Sequence, residues 1–485
     1  MSMLVAQWSR RAVLRQVATL AAALPVAGLA ACGAATTTVP APTVAATSSS
    51  TAPASQAATS AAPAQNPPAA AGAVHMTYMC DIGGPYMTVA KKWADDFSKA
   101  NAGITIEYQP VVDHYPDKLL ASFAGGTPPD TFRYLQEIIP IDGAVLRNML
   151  LALTTYIDRD KYDLSDFMPQ ALALYRWGGK LYSLPRDYGA QFVFYNVDLF
   201  KKAGLDLPPW QWDDTTWTYS KFLDAAQKLT VKSGSNTSQW GCLVNVAWRP
   251  WATFVYSNNA TVVQSNDNGE ATAITLTDSA AVDGMQFLQD LMYKHQVAPR
   301  PTVQQELGGS QLFLNGKVGM VIDNPGAVKS DRDIKDFAWD VATIPIGDHA
   351  TKRGTGGGGT GWAAAQVTKH PEQAWQFIQY ISSKQAELDE VAIGGTTPSR
   401  LSVATSPEFL SPTLPPKSAK TFPDGQAHVV RDPVNPNWPQ ISQQVLTQQM
   451  ARLWNGSTPA KDVASAIKQQ ADPQLQQGLQ QKAQG

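Results

Sequence analysis

The sequence predicts an α/β protein of two domains, from the order of its elements and from its length. Residues 75–80 alternate in hydrophobicity as a strand does, residues 89–97 carry a helical apolar face, and residues 104–108 alternate again. Short connections between such elements imply a parallel sheet covered by helices. The 412 residues that follow residue 73 exceed one ordinary hydrophobic core. We therefore expect two domains of this class.

The alternation continues along the chain. Short runs rich in aromatic and β-branched residues indicate strands, and apolar residues at helical spacing indicate helices. The predicted strands cover residues 131–134, 179–184, 192–195 and 318–322, and the predicted helices cover residues 118–123, 220–228 and 278–294, a helix from Pro371 and a helical C-terminal third.

The N-terminus has the order of an export signal. Arg10 and Arg11 precede an apolar run at 17–29, and Leu29-Ala30-Ala31-Cys32 places small residues before a cysteine. This resembles a bacterial lipoprotein signal over 1–32, whose processing leaves Cys32 as the lipid-bearing residue. A single-pass anchor is the alternative, although about 20 apolar residues are needed to span a bilayer. Twin-arginine and general secretory export both remain open.

Residues 33–73 contain no charged and no aromatic side chain. Such a segment cannot bury enough apolar surface to offset its ordering entropy. We predict a disordered Ala/Thr/Ser/Pro tether that holds a folded body away from a membrane.

The body after residue 73 carries 35 basic and 40 acidic residues, a net charge of −5. This balance argues against nucleic acid as a partner. Cys80 and Cys242 either pair or stay as separate buried thiols, and the six histidines show no metal-ligand spacing. We expect no cofactor and no metal.

Several segments, taken together and in order, resemble the extracellular solute-binding proteins of ABC importers, in the large family 1 that includes carbohydrate binders. The segments are Gly125–Asp130, Gly178–Pro185, Phe194–Leu205, Trp217–Leu229, Phe313–Met320, Thr360–Ala364, Lys369–Ile378 and Thr396–Arg400.

This resemblance implies a periplasmic-binding-protein type II fold, with two α/β lobes and a ligand cleft between them. Each lobe would have a central sheet flanked by helices. The implied N-lobe covers residues 74–189 plus 344–394, and the implied C-lobe covers 190–343 plus 395–485. The implied partners are a sugar, the permease subunits and, through Cys32, the membrane. A monomer facing outward is expected.

Carbohydrate recognition needs aromatic faces and planar polar groups. Asp187 and Tyr188 precede the first implied crossing between lobes, where they would bind sugar hydroxyls and stack on a ring. Trp248 and Trp251 flank Arg249 in a segment whose periodicity assigns neither ring to a core. For Asp187 and Tyr188 the alternative is a surface turn, and for Trp248 and Trp251 it is packing in a buried loop.

Further candidates lie in segments that carry the resemblance. Arg133 and Tyr134 follow a Pro-Asp turn, and Asn324 occupies a ligand-loop position that lacks the usual aromatic residue. Residues 353–361 are glycine-rich without the order of a phosphate loop, so Gly359 would let the backbone approach a ligand beside Trp362. A flexible loop is the alternative. Arg400 is the last of the candidate ligand-binding residues.

The leading hypothesis is a lipid-anchored binding protein that delivers a carbohydrate, an oligosaccharide, to an ABC importer by hinge closure. It predicts no catalytic residue. One alternative is the same fold with a non-sugar solute. The other is a secreted carbohydrate-active hydrolase, which would use a pair of carboxylates such as Asp95-Asp96 or Asp213-Asp214.

Overall fold

The computed structural model describes residues 73–80, 85–234, 236–309, 311–394, 397–411 and 413–484. The predicted signal with Cys32 and the predicted tether up to residue 72 lie outside these residues. No helix in the described ranges has both the length and the apolar character needed to cross a membrane.

The strands follow the predicted alternation and add several short pieces. They are β1 (Val74–Cys80), β2 (Ile104–Pro110), β3 (Thr131–Tyr134), β4 (Arg176–Trp177), β5 (Lys180–Leu181), β6 (Leu184–Pro185), β7 (Gly189–Ala190), β8 (Phe192–Asn196), β9 (Val231–Ser233), β10 (Asn236–Leu243), β11 (Val263–Ser265), β12 (Ala271–Ile274), β13 (Val318–Asp323), β14 (Trp339–Ala342), β15 (Thr355–Gly358), β16 (Gly361–Ala364) and β17 (Val429–Val430).

The helices lie between and after these strands. They are α1 (Pro85–Ala100), α2 (Tyr115–Ala124), α3 (Ile141–Leu146), α4 (Thr154–Asp160), α5 (Pro169–Ala173), α6 (Val197–Lys202), α7 (Tyr219–Leu229), α8 (Trp248–Tyr256), α9 (Ser279–Tyr293), α10 (Pro301–Glu306), α11 (Gln311–Leu314), α12 (Val328–Asp331), α13 (Pro371–Ile381), α14 (Lys384–Ala392), α15 (Leu401–Ala404), α16 (Pro407–Leu410), α17 (Thr421–Gly425), α18 (Trp438–Gln440), α19 (Thr447–Trp454) and α20 (Ala460–Gln484), with 3₁₀ turns at Pro325–Ala327 and Gln426–His428 and a π-helical turn at Ile441–Leu446.

One sheet has the strand order β2-β1-β3-β16-β6. Its strands β1, β2 and β3 are parallel, as the sequence predicts, whereas β16 pairs antiparallel with both β3 and β6. The sheet is therefore mixed, because β16 arrives from a distant part of the chain and not through a helical crossover. We call the part of the protein built on this sheet the N-lobe.

A second sheet has the order β14-β8-β13-β10-β9. Its strands β10 and β13 are parallel, and β8 pairs antiparallel with β13 and β14. Helices α7 and α9 turn the apolar residues Phe222, Leu229, Met285 and Leu288 into the core beside this sheet. We call this part the C-lobe.

Short strands cross between the lobes and pair with one another. β15 pairs antiparallel with β7 and parallel with β17. β7 leads the chain from the N-lobe sheet into β8 of the C-lobe, and β15 returns it to β16. The lobes are thus joined by short strands that pair with one another.

Each lobe has its own hydrophobic core. The N-lobe core draws on residues 76–188 and 362–404 and on Val434, and the C-lobe core draws on residues 190–344 and on other residues between 419 and 475. Ile344 packs in the C-lobe core and Ala404 in the N-lobe core. The lobe boundaries predicted near residues 343 and 394 remain predictions. Cys80 on β1 and Cys242 on β10 are both buried, and they are not joined to each other by a disulfide.

Two segments differ from their sequence-based descriptions. Residues 248–256, whose periodicity gave no clear face, form helix α8, and Pro250 lies in its first turn, where proline is compatible with a helix. The glycine-rich run contains the buried strand β15, so it is not a flexible loop. Residues 266–270 form the turn of the β11–β12 hairpin, as expected for Asp267-Asn268-Gly269.

Candidate functional site

Asp187 ties the first crossing segment to the return strand. Its Oδ1 accepts a hydrogen bond from the Thr360 amide at 2.6 Å, and its Oδ2 accepts one from the Thr360 hydroxyl at 3.0 Å. Arg133 donates through Nε to the same hydroxyl at 3.2 Å. Arg133, Asp187 and the Gly359–Thr360 peptide therefore meet at one place, between β3 and the crossing strands.

Arg186 connects Asp187 to a buried carboxylate of α14. Its guanidinium pairs with Asp187 and donates from Nε to Glu390 Oε1 at 2.7 Å. The side chains of Arg186 and Glu390 are only 5% and 1% exposed. Arg186 also lies over the Tyr86 and Trp362 rings at 5.4 and 5.8 Å. This buried network fixes the position from which the chain enters the crossing strand β7.

Three tryptophans form an aromatic group at the start of α8 in the C-lobe. Trp248 makes edge-to-face contacts with Trp251 at 5.0 Å and with Trp438 at 5.5 Å. The Trp248 indole N–H donates to Asp432 Oδ1 at 2.7 Å, so its ring orientation is fixed. Trp251 is buried in the core, whereas Trp248 is half-buried. Of the two predicted tryptophans, only Trp248 is partly exposed to solvent.

Arg249 lies between carboxylates of different parts of the fold. Its Nη2 contacts Asp432 Oδ2 at 2.7 Å, and its Nη1 contacts Glu137 Oε2 at 2.9 Å. Glu137 follows β3 of the N-lobe, and Asp432 follows β17. Tyr188 is buried near this group: burial raises its pKa, and the positive charges of Arg249 and Arg431 oppose that rise.

Four other predicted residues make contacts inside the fold. Trp362 is 1% exposed in the N-lobe core, and Tyr134 is buried and donates its hydroxyl to the Ile139 carbonyl at 2.5 Å. Asn324 accepts from the Gly326 amide and donates to Asp323. Arg400 donates to the Ser382 carbonyl, to Asp166 and to the Tyr162 hydroxyl, all in the N-lobe. The structure does not bring these four together with Trp248.

The glycines of β15 and its flanks allow one backbone to lie against another. A Cβ added at Gly359 would lie 1.9 Å from the Asp187 carbonyl oxygen, and one at Gly357 would lie 2.3 Å from the Gly189 carbonyl oxygen. A Cβ at Gly358 would lie 2.5 Å from Arg249 Nη2. These glycines therefore allow close packing against the backbone at Asp187 and Gly189 and against the Arg249 guanidinium.

Sequence reasoning missed Glu137, Arg249, Asp432 and Glu390. Arg249 had a visible signal, because it separates two tryptophans. The other three are single carboxylates far from their partners in the chain, and no local spacing marks them.

The carboxylate pairs considered for a hydrolase have local partners. Asp95 and Asp96 bind Lys91 and Lys92 one helical turn earlier on the exposed face of α1. Asp214 accepts hydrogen bonds from the amide and hydroxyl of Thr216. Neither pair lies among the residues that join the lobes.

Two buried glutamates of α14 predict how stability depends on pH. Burial raises the pKa of Glu387 to about 8 and that of Glu390 to about 7, against the opposing effects of Ser399 and Arg186. The folded protein then holds these protons more tightly than the unfolded chain does. Their contribution to stability is complete below the ordinary pKa of 4.5 and is lost as pH rises through about 7 to 8.

We expect the midpoint temperature of thermal unfolding to decrease as the pH is raised from 5 to 8.5. The Glu387→Gln variant, which keeps a neutral side chain, should show a shallower decline than the wild type. Glu372→Gln on the exposed surface should keep the wild-type slope. A wild-type midpoint that rises over this interval would contradict the assignment.

Comparison with known proteins agrees with this architecture. The sequence model of the family described as bacterial extracellular solute-binding protein matches residues 92–416. An arabinooligosaccharide-binding protein of Halalkalibacterium halodurans is 23% identical over 327 residues, which cover 65% of this chain and 68% of that protein.

Solved structures support the fold. An ABC substrate-binding protein of Listeria monocytogenes in complex with cycloalternan superposes with a TM-score of 0.71 at 22% identity, covering 83% of this chain and 99% of that one. Maltose-bound MalE3 of T. maritima gives 0.68 at 21% identity, covering 83% and 100%. The predicted family and the two-lobed α/β fold are thereby confirmed. The chain belongs to the bacterial extracellular solute-binding protein family.

Proposed function

We propose that this protein is a receptor that binds a carbohydrate, an oligosaccharide, outside the membrane and delivers it to an ABC importer. Cys32 carries the lipid that anchors it, and residues 33–73 are the tether. The lobes close on the solute by bending at β7, β15 and β17, and the closed face is presented to the permease. The protein performs no chemistry on the solute.

The observation that carries this proposal is the group formed by Trp248, Arg249 and Asp432 beside the crossing strands. The Trp248 ring supplies an apolar face of fixed orientation, because its N–H is held by Asp432 at 2.7 Å. Such a face stacks against the C–H face of a sugar ring, and planar guanidinium and carboxylate groups pair with neighbouring hydroxyls.

The charges near the hinge favour a neutral solute over an anion. Arg186 is paired with Asp187 and Glu390, and Arg249 is paired with Glu137 and Asp432. A phosphate group would have to compete with these carboxylates for each guanidinium. The carbohydrate-binding names of a relative and of a structural neighbour agree with this preference.

A ligand screen by thermal unfolding tests the proposal. The panel contains arabino-oligosaccharides, maltose, longer malto-oligosaccharides and a sugar phosphate. A solute at a hundred times its Kd should add about 2.7 kcal/mol of stability. A saturable shift with a neutral sugar that is recovered unchanged supports the proposal. A shift with the phosphate alone would indicate a different solute class, and cleavage of the sugar would indicate a hydrolase.

We expect the Trp248→Ala variant to bind the identified sugar about tenfold or more weakly, because truncating an aromatic residue at the centre of a binding site costs roughly 2 kcal/mol. Trp210→Ala, which truncates another half-buried tryptophan of the C-lobe, is the matched control and should keep the wild-type Kd. Isothermal titration calorimetry measures both. Equal affinities of the two variants would show that Trp248 does not contribute to solute binding.

A further inference from the structure

A second partly exposed aromatic ring, that of Tyr86, lies where side chains of the two lobes meet. Tyr86 is in the first turn of α1, is half-buried and packs against the N-lobe core. The Nζ atom of Lys329, on α12 of the C-lobe, lies 5.9 Å from the centre of its ring. Earlier in the same C-lobe segment, Pro325 Cδ would lie 3.8 Å from a Cβ added at Gly189 of β7. Tyr86 therefore faces a C-lobe segment that begins beside the first crossing strand.

The chain at the end of β15 connects the surroundings of Trp248 to Asp187. Arg249, the next residue after Trp248, lies against Gly358, where a Cβ would come within 2.5 Å of its Nη2. Two residues further along, the amide and the hydroxyl of Thr360 donate to Asp187. An extended chain advances by roughly 3.3 Å per residue, so these two places are about 7 Å apart. Polar groups thus continue from Trp248 to the Asp187 carboxylate.

Arg186 continues this series of contacts to Tyr86. Its guanidinium pairs with Asp187, and its Cζ atom lies 5.4 Å from the centre of the Tyr86 ring. Glu390 also holds Arg186, which is 5% exposed, so the position of this cation beside the ring is fixed. Lys329, in contrast, is exposed and has a flexible stem, so a solute can displace its Nζ from the ring.

The hydroxyl of Tyr86 is directed toward the Arg186 network and not toward solvent. It is buried, and it has no hydrogen-bond partner among the residues that the structure describes. Burial raises the pKa of Tyr86, the positive charge of Arg186 opposes that rise, and Glu390 and Asp187 add to it. The part of Tyr86 that a solute can contact is therefore its ring.

We propose that Tyr86 is a second stacking residue of the solute site, so that one sugar ring lies on Trp248 and another lies on Tyr86. Aromatic faces of this kind pack against the C–H faces of sugar rings, and the Asp187 carboxylate between them, 19% exposed, accepts a solute hydroxyl. This inference rests on the proposed function and deepens it, because it specifies a linear oligosaccharide of at least two units.

Isothermal titration calorimetry with sugars of increasing length tests the proposal on the full chain carrying Cys32→Ser. The probes are glucose, maltose and maltotetraose, and arabinose, arabinobiose and arabinotetraose. In the series that binds, the wild type should bind the tetrasaccharide more tightly than the monosaccharide. We expect Tyr86→Ala to weaken tetrasaccharide binding about tenfold and to leave the Kd of the monosaccharide unchanged, whereas Trp248→Ala should weaken binding at every length.

Two further variants separate stacking from other effects. Tyr86→Phe keeps the ring and should restore the wild-type Kd, because the hydroxyl that it removes bonds to no described residue. Tyr156→Ala is the matched control: Tyr156 is another half-buried tyrosine of the N-lobe, with Arg159 Cζ 5.4 Å from its ring centre, and its truncation should leave every Kd unchanged. Thermal unfolding without sugar checks the fold of each variant. If Tyr86→Ala does not fold, Tyr86→Leu replaces it with the same expectation.

The possible outcomes distinguish this inference from the proposed function. Equal losses of affinity for the monosaccharide and the tetrasaccharide in Tyr86→Ala would overturn the inference, as would no loss for either sugar. A wild type that binds both lengths equally well would also overturn it. In each of these cases a sugar still binds, so the proposed function stands. If no member of either series binds the wild type, the proposed function fails and this inference fails with it.

Discussion

We expect the Trp362→Ala variant to lose about 3–5 kcal/mol of its free energy of unfolding, the cost of truncating a large buried aromatic side chain. The Trp362 ring is 1% exposed and makes edge-to-face contacts with Trp93 at 6.1 Å and with Tyr78 at 5.7 Å. It lies on β16, which joins the distant return segment to β3. Its removal leaves a cavity at the centre of the N-lobe sheet, where neighbours fixed in strands relax little.

Equilibrium urea unfolding followed by circular dichroism measures this loss. Trp210→Ala, at a half-buried position, removes the same atoms and should cost much less. Trp362→Phe keeps most of the ring contacts and should give an intermediate value. If Trp362 stabilises the fold and does not contact the solute, the Trp362→Phe variant will lose stability and keep its affinity for the solute. A Trp362→Ala protein as stable as Trp210→Ala would contradict this placement.

Trp362 also illustrates what local patterns can and cannot predict. Trp362 lies in the segment Thr360–Ala364, which carries the family resemblance, and in the structure it is on strand β16. The pattern does not show which face of the strand turns to the core, because that depends on the partners β3 and β6, which come from elsewhere in the chain. The side chain was a ligand candidate in the sequence, and it packs in the core in the structure.

The elements themselves were largely predictable, since their signals are local. The strands at 74–80 and 318–323 and the helices at 219–229 and 279–293 follow from periods of two and of 3.6 residues. The pairing of β15 with β7 and β17 was not predictable, because a glycine-rich strand has no alternation of apolar and polar side chains. Nor was the charge network, since Glu137, Asp432 and Glu390 reach their arginine partners only through the tertiary fold.

We expect Arg186→Met to lower the free energy of unfolding by about 3–5 kcal/mol above pH 7, because removing one partner of a buried ion pair leaves the other charge uncompensated. Arg186 and Glu390 are almost completely buried and lie 2.7 Å apart. The loss should be smaller at pH 5, because burial holds the pKa of Glu390 near 7 in the wild type and the carboxyl can be neutral there. Urea unfolding at pH 5 and pH 8 measures both values.

Two further variants separate the charge from the loss of packing. Arg159→Met also removes an arginine that pairs with two carboxylates, Asp160 and Glu372, but this arginine is on the surface, so only a small change is expected at either pH. Arg186→Met combined with Glu390→Leu removes both buried charges and should recover a large part of the loss at pH 8, because apolar replacement of a buried pair is often tolerated. No recovery in the double variant, together with equal losses at pH 5 and pH 8, would mean that the Arg186 stem stabilises the hinge by its contacts with Tyr86 and Trp362 and not by its charge.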